Sequence, residues 1–441
     1  MTSGNIFRQL VEYAVPLMLG NMLQQLYTVV DCITVGRLVG KEALAAISAT
    51  EVIINTIIGL FFGISSGATI VIAQEYGSKD KNGVHDAVHT TMSLTLIMGV
   101  IVTIAGIFGS DTMLKIMSTP EDVFPYAKIY LEIYFSGIFA QVIYNMGSGI
   151  LRAVGDSKRP LVALTITSVL NIVLDIVLVA VFDMGVAGVA IATIFAQFVS
   201  AVYLLYLLIS TREEYALVFR DLKIHGNYCR RILSIGVPLG VQRTIVSFSN
   251  TLVTGRVSYF GSDALAGFGV FKKAEEFTFN VIQSLALADS TFVGQNYGAG
   301  NCERANKGTK VSMAIAVSFT VVSTAIIILL REYVVMLFND TPEVVKYGSM
   351  AISTILPLLW ISAIFNVAAG EVRGYGNGNI PMIVALLSFV AIRQIYLAVV
   401  WGMARSVEMV FLSYPVGWIF AAVIMVVYMF ASRKKRRGLS L

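Results

Sequence analysis

The stretch AQEYGSKD at residues 73–80 recurs 221 positions later as GQNYGAGN at residues 294–301. Two further matches keep this offset: RAVGDSKRP at 152–160 with RGYGNGNIP at 373–381, and GKEALA at 40–45 with GSDALA at 261–266. A register that holds across three separate segments indicates an internal duplication. The sequence therefore predicts two related halves, joined by a charged segment near residues 210–230.

The composition places this duplicated chain in a lipid bilayer. Of its 441 residues, 56% are hydrophobic and only 13% are charged, and the mean hydropathy is +0.77. Soluble domains contain about 45–50% apolar and about 25% charged residues, so this chain would expose a large apolar surface in water. We therefore expect an integral membrane protein whose main partner is the lipid bilayer.

Twelve apolar stretches of the length needed to cross a bilayer follow one another along the chain. They lie near residues 12–36, 46–73, 88–108, 125–149, 161–182, 186–209, 232–259, 265–292, 309–330, 346–369, 382–402 and 408–431. The predicted fold is an all-α integral membrane protein of twelve transmembrane helices in two pseudo-symmetric six-helix lobes. We divide the chain into an N-terminal lobe (1–209), a cytoplasmic connector (210–230), a C-terminal lobe (231–432) and a basic cytoplasmic tail (433–441).

Basic residues are concentrated in alternate loops, which sets the expected orientation. The loops near 79–81, 152–159, 212–231 and 304–310 are rich in Lys and Arg, and so is the tail segment 433–437. The positive-inside rule then places both termini in the cytoplasm, and we expect the plasma (inner) membrane of a prokaryote. We interpret the tail as an anchor to anionic lipid and expect no nucleic-acid partner.

Cysteine and histidine are too sparse for most metal or redox chemistry. Of the three histidines, only His85 and His89 have the spacing of a helical metal pair. No Glu stands between them as in HExxH, so we interpret this segment as a solvated helix start. A nucleophile elbow, a metal-ligand cluster and a phosphate loop are all missing from the sequence. These features favour a transporter without a cofactor over an enzyme.

Two carboxylates lie within predicted spans of the first half, where an ionised group costs at least about 2.5–3.5 kcal/mol. Asp31 lies in span one, and Asp175 lies in span five, four residues after Asn171. That spacing places the amide and the carboxylate on one helix face, and Thr193 in span six is a further oxygen ligand. The set suits a small cation such as Na⁺, and the two acids could instead hold a proton.

The duplication provides a control for these acids. In the second half, the positions equivalent to the two acids and the amide are apolar or aromatic: Leu252, Tyr396 and Ile392. The bundle is therefore built without the acidic set, which favours a function in ion binding. A structural role for Asp31, paired with a hydroxyl or a base, stays as the alternative.

The second half has charged residues of its own within predicted spans: Arg243 in span seven, Lys272, Lys273, Glu275 and Glu276 in span eight, and Arg393 in span eleven. Of these, the candidates for substrate binding are Lys272, Glu275, Glu276 and Arg393. Lys272 and Glu276 have the i, i+4 spacing of an ion pair, so a self-neutralised structural pair is the alternative.

The repeated motifs resemble those of the multidrug and toxic-compound extrusion (MATE) family. The resemblance covers nearly the whole chain and rests on Val-Pro-Leu at 15–17 and 237–239 together with the repeated segments quoted above. It implies an antiporter, driven by Na⁺ or H⁺, that exports drugs or other organic, often cationic, compounds by alternating access. Its prokaryotic type implies a first-lobe cation site at these residues: Asp31, Asn171, Asp175, Thr193 and Tyr27.

The sequence also departs from one branch of that family. Val246 stands where this branch has a span-seven carboxylate, so a second-lobe cation site of that type is not expected. The alternative function is a lipid-linked oligosaccharide or lipid flippase of related architecture, since the bases of the second half would suit a basic cavity. We expect a monomer that takes a small organic molecule as substrate.

Overall fold

The computed structural model describes residues 1–403 and 405–439, and in this part of the chain every regular element is a helix. The helices of the first half are α1 (Ile6–Leu38), α2 (Lys41–Ser78), α3 (Lys81–Ile116), α4 (Phe124–Ala153), α5 (Lys158–Ile176, continued by a π turn at Val177–Val181) and α6 (Gly185–Ser210). A 3₁₀ turn at Phe219–Asp221 lies in the connector.

The second half repeats this order of six helices. They are α7 (Gly226–Ser258), α8 (Ser262–Gly298), α9 (Cys302–Leu329), α10 (Pro342–Ile355 and Leu359–Gly374, around a 3₁₀ turn at Leu356–Leu358), α11 (Asn379–Ala385, a π turn at Leu386–Ile392 and Arg393–Met403) and α12 (Val407–Phe411 and Ser413–Leu439). A short helix, Arg331–Met336, precedes α10. The predicted basic tail continues α12 as far as Leu439, and residues 440–441 lie outside the described residues.

The all-α membrane fold predicted from the sequence is confirmed. Nine of the described helices are long and apolar enough to cross a membrane. The remaining long helices, α1, α4 and α8, contain more polar side chains, because polar residues interrupt their apolar runs. These three helices carry many of the candidate site residues, including Asp31 and Lys272.

The chain forms two compact units, each of which has its own core. The N-unit comprises Val15–Val237, and the C-unit comprises Met1–Ala14 together with Pro238–Leu441. The divisions fall inside α1 and α7, beside Pro16 and Pro238. Proline removes a backbone hydrogen bond from a helix interior, so both helices have a natural point of bending there.

Glycines at equivalent positions of the two units have the same backbone conformation or make the same close helix contact. Gly155 and Gly376, from the repeated loops, have φ angles of 95° and 93°, in the left-handed region that favours glycine. A Cβ on Gly149 would lie 2.6 Å from Ser65 Oγ, and a Cβ on Gly370 would lie 2.6 Å from the carbonyl oxygen of Ala286, the residue equivalent to Ser65. Each unit therefore packs its second and fourth helices through the same close approach.

Packing between α1 and α5 positions the acids of the N-unit. A Cβ on Gly20 of α1 would lie 3.2 Å from a methyl group of Leu164 on α5, so the two helices run close together. The π turn at Val177–Val181 begins two residues after Asp175. Single π turns inserted in α-helices are frequent at functional sites, where they alter the direction of nearby side chains.

Candidate cation-binding site

Two carboxyl groups face each other in the N-unit. Asp31 on α1 and Asp175 on α5 lie within hydrogen-bonding distance of one another, and 8% and 0% of their surfaces are exposed. No group of the described chain donates a hydrogen bond to Asp31 Oδ1 or to either carboxyl oxygen of Asp175. Two ionised carboxylates only accept hydrogen bonds and repel one another, so a proton or another cation bound between them would stabilise this pair.

Asn171 and Thr193 extend this set of oxygen atoms. The Asn171 amide donates to Thr193 Oγ1 over 3.4 Å, and the Thr193 hydroxyl donates to the Val189 carbonyl on its own helix over 3.0 Å. The buried carbonyl oxygen of Asn171 has no donor within the described part of the chain. Buried polar atoms without a partner are uncommon in proteins, and a bound cation would satisfy this one.

Tyrosines of α1 and α4 surround the carboxyl pair. Tyr27 lies one turn before Asp31, is 8% exposed and is hydrogen bonded to Gln24. Tyr130 interacts electrostatically with both carboxyl groups, and its ring stacks on that of Tyr134 with the centroids 6.1 Å apart. The structure thus brings together all five residues that the sequence and the family resemblance indicated, within an aromatic wall.

Sequence reasoning missed the part of this wall that α4 supplies. The Tyr134 hydroxyl donates to Gln141 Oε1 over 2.5 Å, and a narrow pocket between these side chains and Gln197 reaches Thr193. The signal was present in the sequence, because Tyr130, Tyr134 and Gln141 recur at steps of four and seven residues. That spacing places these three polar groups on a single face of α4.

Three of the four candidate substrate residues meet in the C-unit. Lys272 Nζ lies 2.8 Å from Glu275 Oε2 and 4.1 Å from the centre of the Tyr414 ring. The Arg393 guanidinium lies 5.2 Å from the centre of the same ring. Cations over an aromatic face are attracted to its electron-rich surface, so Tyr414 holds two bases beside one acid.

The pairing of the charged residues on α8 differs from the predicted one. Lys272 pairs with Glu275 at i, i+3 rather than with Glu276, which pairs instead with Lys273 at 3.7 Å on an exposed face of the helix. The expectation of an i, i+4 pair was wrong because Tyr414, from the distant α12, fixes the direction of the Lys272 side chain. Glu276 therefore lies outside the cluster around Tyr414.

Arg393 is held by neutral groups within the C-unit. Its two terminal nitrogens donate to Asn250 Oδ1 over 2.9 Å and to Ser249 Oγ over 2.6 Å, both on α7. Only 3% of its surface is exposed. No carboxylate of the described residues forms an ion pair with it, and its Nε has no acceptor. The cluster therefore carries more positive than negative charge.

Two histidines of α3 form hydrogen bonds with the connector. His85, His89 and Asp221 each offer a ligand atom within 4.8 Å of the others. However, His89 Nδ1 donates a hydrogen bond to the His85 carbonyl oxygen over 2.7 Å, and His89 Nε2 accepts a hydrogen bond from the Val218 amide over 3.0 Å. The expectation of a solvated helix start is wrong for His89, which is fully buried. Both of its ring nitrogens are already used, so we assign it a structural function.

Comparison with known proteins gives a consistent result over the whole chain. The model of the MatE family matches residues 16–177 and 238–400. The chain is 29% identical over 400 residues to the "Probable multidrug resistance protein YpnP" of Bacillus subtilis (strain 168), a match that covers 90% of this chain and 89% of the relative. It is 27% identical over 388 residues to the "Probable multidrug resistance protein NorM" of Thermotoga maritima, with 87% and 83% covered.

The fold is also similar to that of solved structures. A crystal structure described as MATE in the bent conformation matches with a TM-score of 0.94 at 24% identity, and the match covers 99% of this chain and 97% of that one. This similarity extends through both halves. It confirms the predicted architecture of twelve helices in two six-helix lobes.

Proposed function

Because the chain belongs to the MatE family, we propose that it is a cation-coupled antiporter that exports drugs or other organic, often cationic, compounds by alternating access. Membership confirms the family resemblance found in the sequence and makes the chain a multi-pass membrane transporter of small molecules, not an enzyme. The relatives' names describe multidrug resistance, which supports drug export here. The residues of the N-unit support the coupling to Na⁺ or H⁺.

The pair formed by Asp31 and Asp175 is the observation that carries this proposal. Both carboxyl groups are buried, they face each other, and most of their oxygens have no hydrogen-bond donor in the described chain. Ionisable groups at membrane depth are costly and usually mark ion pathways. The residues fit Na⁺, for which Asn171 and Thr193 add oxygen ligands, and they fit a proton shared by the two acids.

In the proposed cycle, the cation enters from outside and the substrate leaves to the same side. Binding between Asp31 and Asp175 compensates one of their two negative charges and relieves their repulsion, and the carbonyl oxygen of Asn171 gains a partner. The helix α1 then repacks by bending near Pro16, where a backbone hydrogen bond is missing. The cation drives this step only to the extent that it binds the repacked state more tightly. Its release to the cytoplasm resets the transporter for the next substrate.

Substrate binding is proposed at the charged cluster of the C-unit, with Lys272, Glu275 and Arg393 as its members. Glu275 is the group that would attract a cationic compound, because it is the acid of this cluster and only 11% of its side chain is exposed. Glu276, which pairs with Lys273 on an exposed face of α8, is not included in this proposed substrate site. We also propose that the protein is monomeric, has both termini in the cytoplasm of a prokaryotic cell and needs no cofactor besides its coupling ion.

Transport in proteoliposomes tests this function. Vesicles that contain the purified protein and a lipophilic cationic dye would receive a Na⁺ gradient and a pH gradient in separate experiments. Dye movement driven by one of these gradients would support the antiport and identify the coupling ion. No movement under either gradient would refute dye export. It would favour the alternative flippase, which the same vesicles test with a labelled lipid-linked oligosaccharide.

A further inference from the structure

A second pair of buried acids lies in the C-unit, outside the site described above. Asp289 on α8 and Glu371 on α10 have no exposed surface. Glu371 is neutralised by Arg433 of α12 through two bonds, Nε to Oε1 at 2.9 Å and Nη2 to Oε2 at 2.5 Å. The bidentate ion pair satisfies the charges of both Glu371 and Arg433. Of the two buried acids, Asp289 is therefore the one that has no base in contact with its carboxyl group.

Asp289 has few partners for a fully buried carboxylate. Its Oδ2 accepts a hydrogen bond from the Thr309 hydroxyl of α9 over 3.1 Å, whereas its Oδ1 has no donor among the described residues. The Ser312 hydroxyl of α9 lies beside it. The charged groups that act on it from the surrounding helices are Glu371 and Arg373 of α10 and Arg433 of α12. Neither Arg373 nor Arg433 lies within ion-pair distance of the Asp289 carboxyl group.

The duplication shows that the bundle does not need these acids. The residues equivalent to Asp289 and Glu371 in the first half are Ala68 and Ile150, and both belong to the apolar core of the N-unit. The residue equivalent to Thr309 is apolar as well, Val88. Since both units pack these helices in the same register, the polar set is an addition specific to the second half. A buried charge that is not needed for packing indicates a function.

We propose that Asp289 is a second ion-exchange site of the transporter, which takes up and releases one proton at Oδ1. Protonation turns the oxygen without a donor into a hydroxyl that can donate to Ser312, and deprotonation leaves a carboxylate in the field of Arg373. A proton suits the site better than a metal ion, which requires several oxygen ligands and would be repelled by two guanidinium groups. Asp289 lies nine residues before Gly298, where α8 ends, so the proton exchanges on the side of that helix end.

This inference rests on the proposed function, because the proton bound at Asp289 is one of the ions that the antiporter exchanges. The Glu371–Arg433 pair couples the site to α12, since an ionised Asp289 competes with Glu371 for Arg433. A duplicated protein thus has two acidic sites built from different helices, α1 with α5 in the first half and α8 with α10 in the second. Asp289 also falls within a predicted span, 265–292, whereas Glu371 lies just beyond the predicted span 346–369.

Infrared difference spectroscopy of the purified protein, recorded during a pH titration, tests the site without any transport. We expect an absorption band of a protonated buried carboxyl group that is lost in Asp289→Asn and in Asp289→Ala. The alanine variant reproduces Ala68 of the first half and should therefore fold. Asp263→Asn, an exposed acid on the first turn of the same helix, is the matched control and should keep the band. Thr309→Val should shift the band, because it removes a hydrogen bond to the carboxyl group.

The outcomes separate this site from the antiport itself. In proteoliposomes, Asp289→Asn should still move substrate but exchange one fewer proton per substrate than the wild type. Spectra identical to those of the wild type in both Asp289 variants would overturn the site, even if the wild type transports. If the band is lost in the Asp289 variants but neither gradient drives transport by the wild type, the antiport is refuted and Asp289 is still supported as a proton-binding group.

Discussion

The carboxyl group of Asp175 on α5 faces that of Asp31 on α1, and neither forms an ion pair with a base of the described chain. The equivalent position to Asp175 in the C-unit is Tyr396, which is half-buried and donates to the Met409 carbonyl. The same bundle therefore holds an acid pair in one unit and neutral groups in the other. Such asymmetry within a duplicated fold supports the proposal that the acids serve ion binding rather than assembly.

Replacing Asp31 by Asn should uncouple transport from its driving ion. The amide keeps the shape of the side chain and can donate to Asp175, so it removes the need for a bound cation. We expect gradient-driven dye transport to fall roughly ten- to a hundredfold, with the helical content unchanged by circular dichroism. Glu51→Gln, an exposed acid on α2, is the control and should transport normally. Uphill transport by Asp31→Asn at the wild-type rate would refute this function of Asp31.

Replacing Asn171 by Leu should distinguish the two coupling ions. Na⁺ would use the carbonyl oxygen of Asn171 as a ligand, whereas a proton needs only the carboxyl groups. In a Na⁺ gradient, we expect the Na⁺ concentration that gives half-maximal transport to rise about tenfold. This is the effect expected when one polar contact to a charged group is lost. In a pH gradient, transport should keep its pH dependence. Asn55→Leu, on the exposed face of α2, is the control, and an equal effect of both variants would contradict the assignment.

Most residues of the proposed cation site can be found in the sequence because they interrupt apolar runs, whereas Tyr27 is indicated by the family resemblance. Asp31 and Asp175 stand out at membrane depth, and the repeat distinguishes them from residues required for assembly. The contacts between distant helices could not be predicted in this way. Glu371 and Arg433 pair across 62 positions, and Asp289 lies within the predicted span 265–292, but the sequence does not show which helices surround it. Its burial is a property of tertiary packing alone.

Replacing Gly370 by Ala should destabilise the C-unit. The added Cβ would lie 2.6 Å from the backbone oxygen of Ala286, and backbone cannot rotate away as a side chain can. Overpacking of this kind costs about 1–3 kcal/mol. Thermal unfolding in detergent, followed by circular dichroism, should show a lower midpoint. Gly59→Ala, which meets no atom within 4 Å, is the control, and equal midpoints for the two variants would contradict the close approach.

A double-mutant cycle at Lys272 and Glu275 should separate a structural ion pair from a substrate site. Lys272→Met leaves the Glu275 carboxylate, 11% exposed, without its partner, whereas Glu275→Gln leaves the better exposed ammonium over the Tyr414 ring. We expect a loss of about 1–3 kcal/mol in Lys272→Met, a smaller loss in Glu275→Gln and partial recovery in the double variant. Chemical unfolding in detergent measures these differences, because it reports stability independently of transport.

The transport constants of the same four proteins decide whether the pair also binds substrate. If Glu275 contacts a cationic compound, its neutralisation should raise the KM for the dye, and the double variant should not restore it even though stability recovers. A KM that recovers together with stability would contradict substrate binding and leave a structural pair. The exposed pair of Lys273 and Glu276 is the matched control, since exposed ion pairs contribute at most about 1 kcal/mol and its removal should change neither quantity.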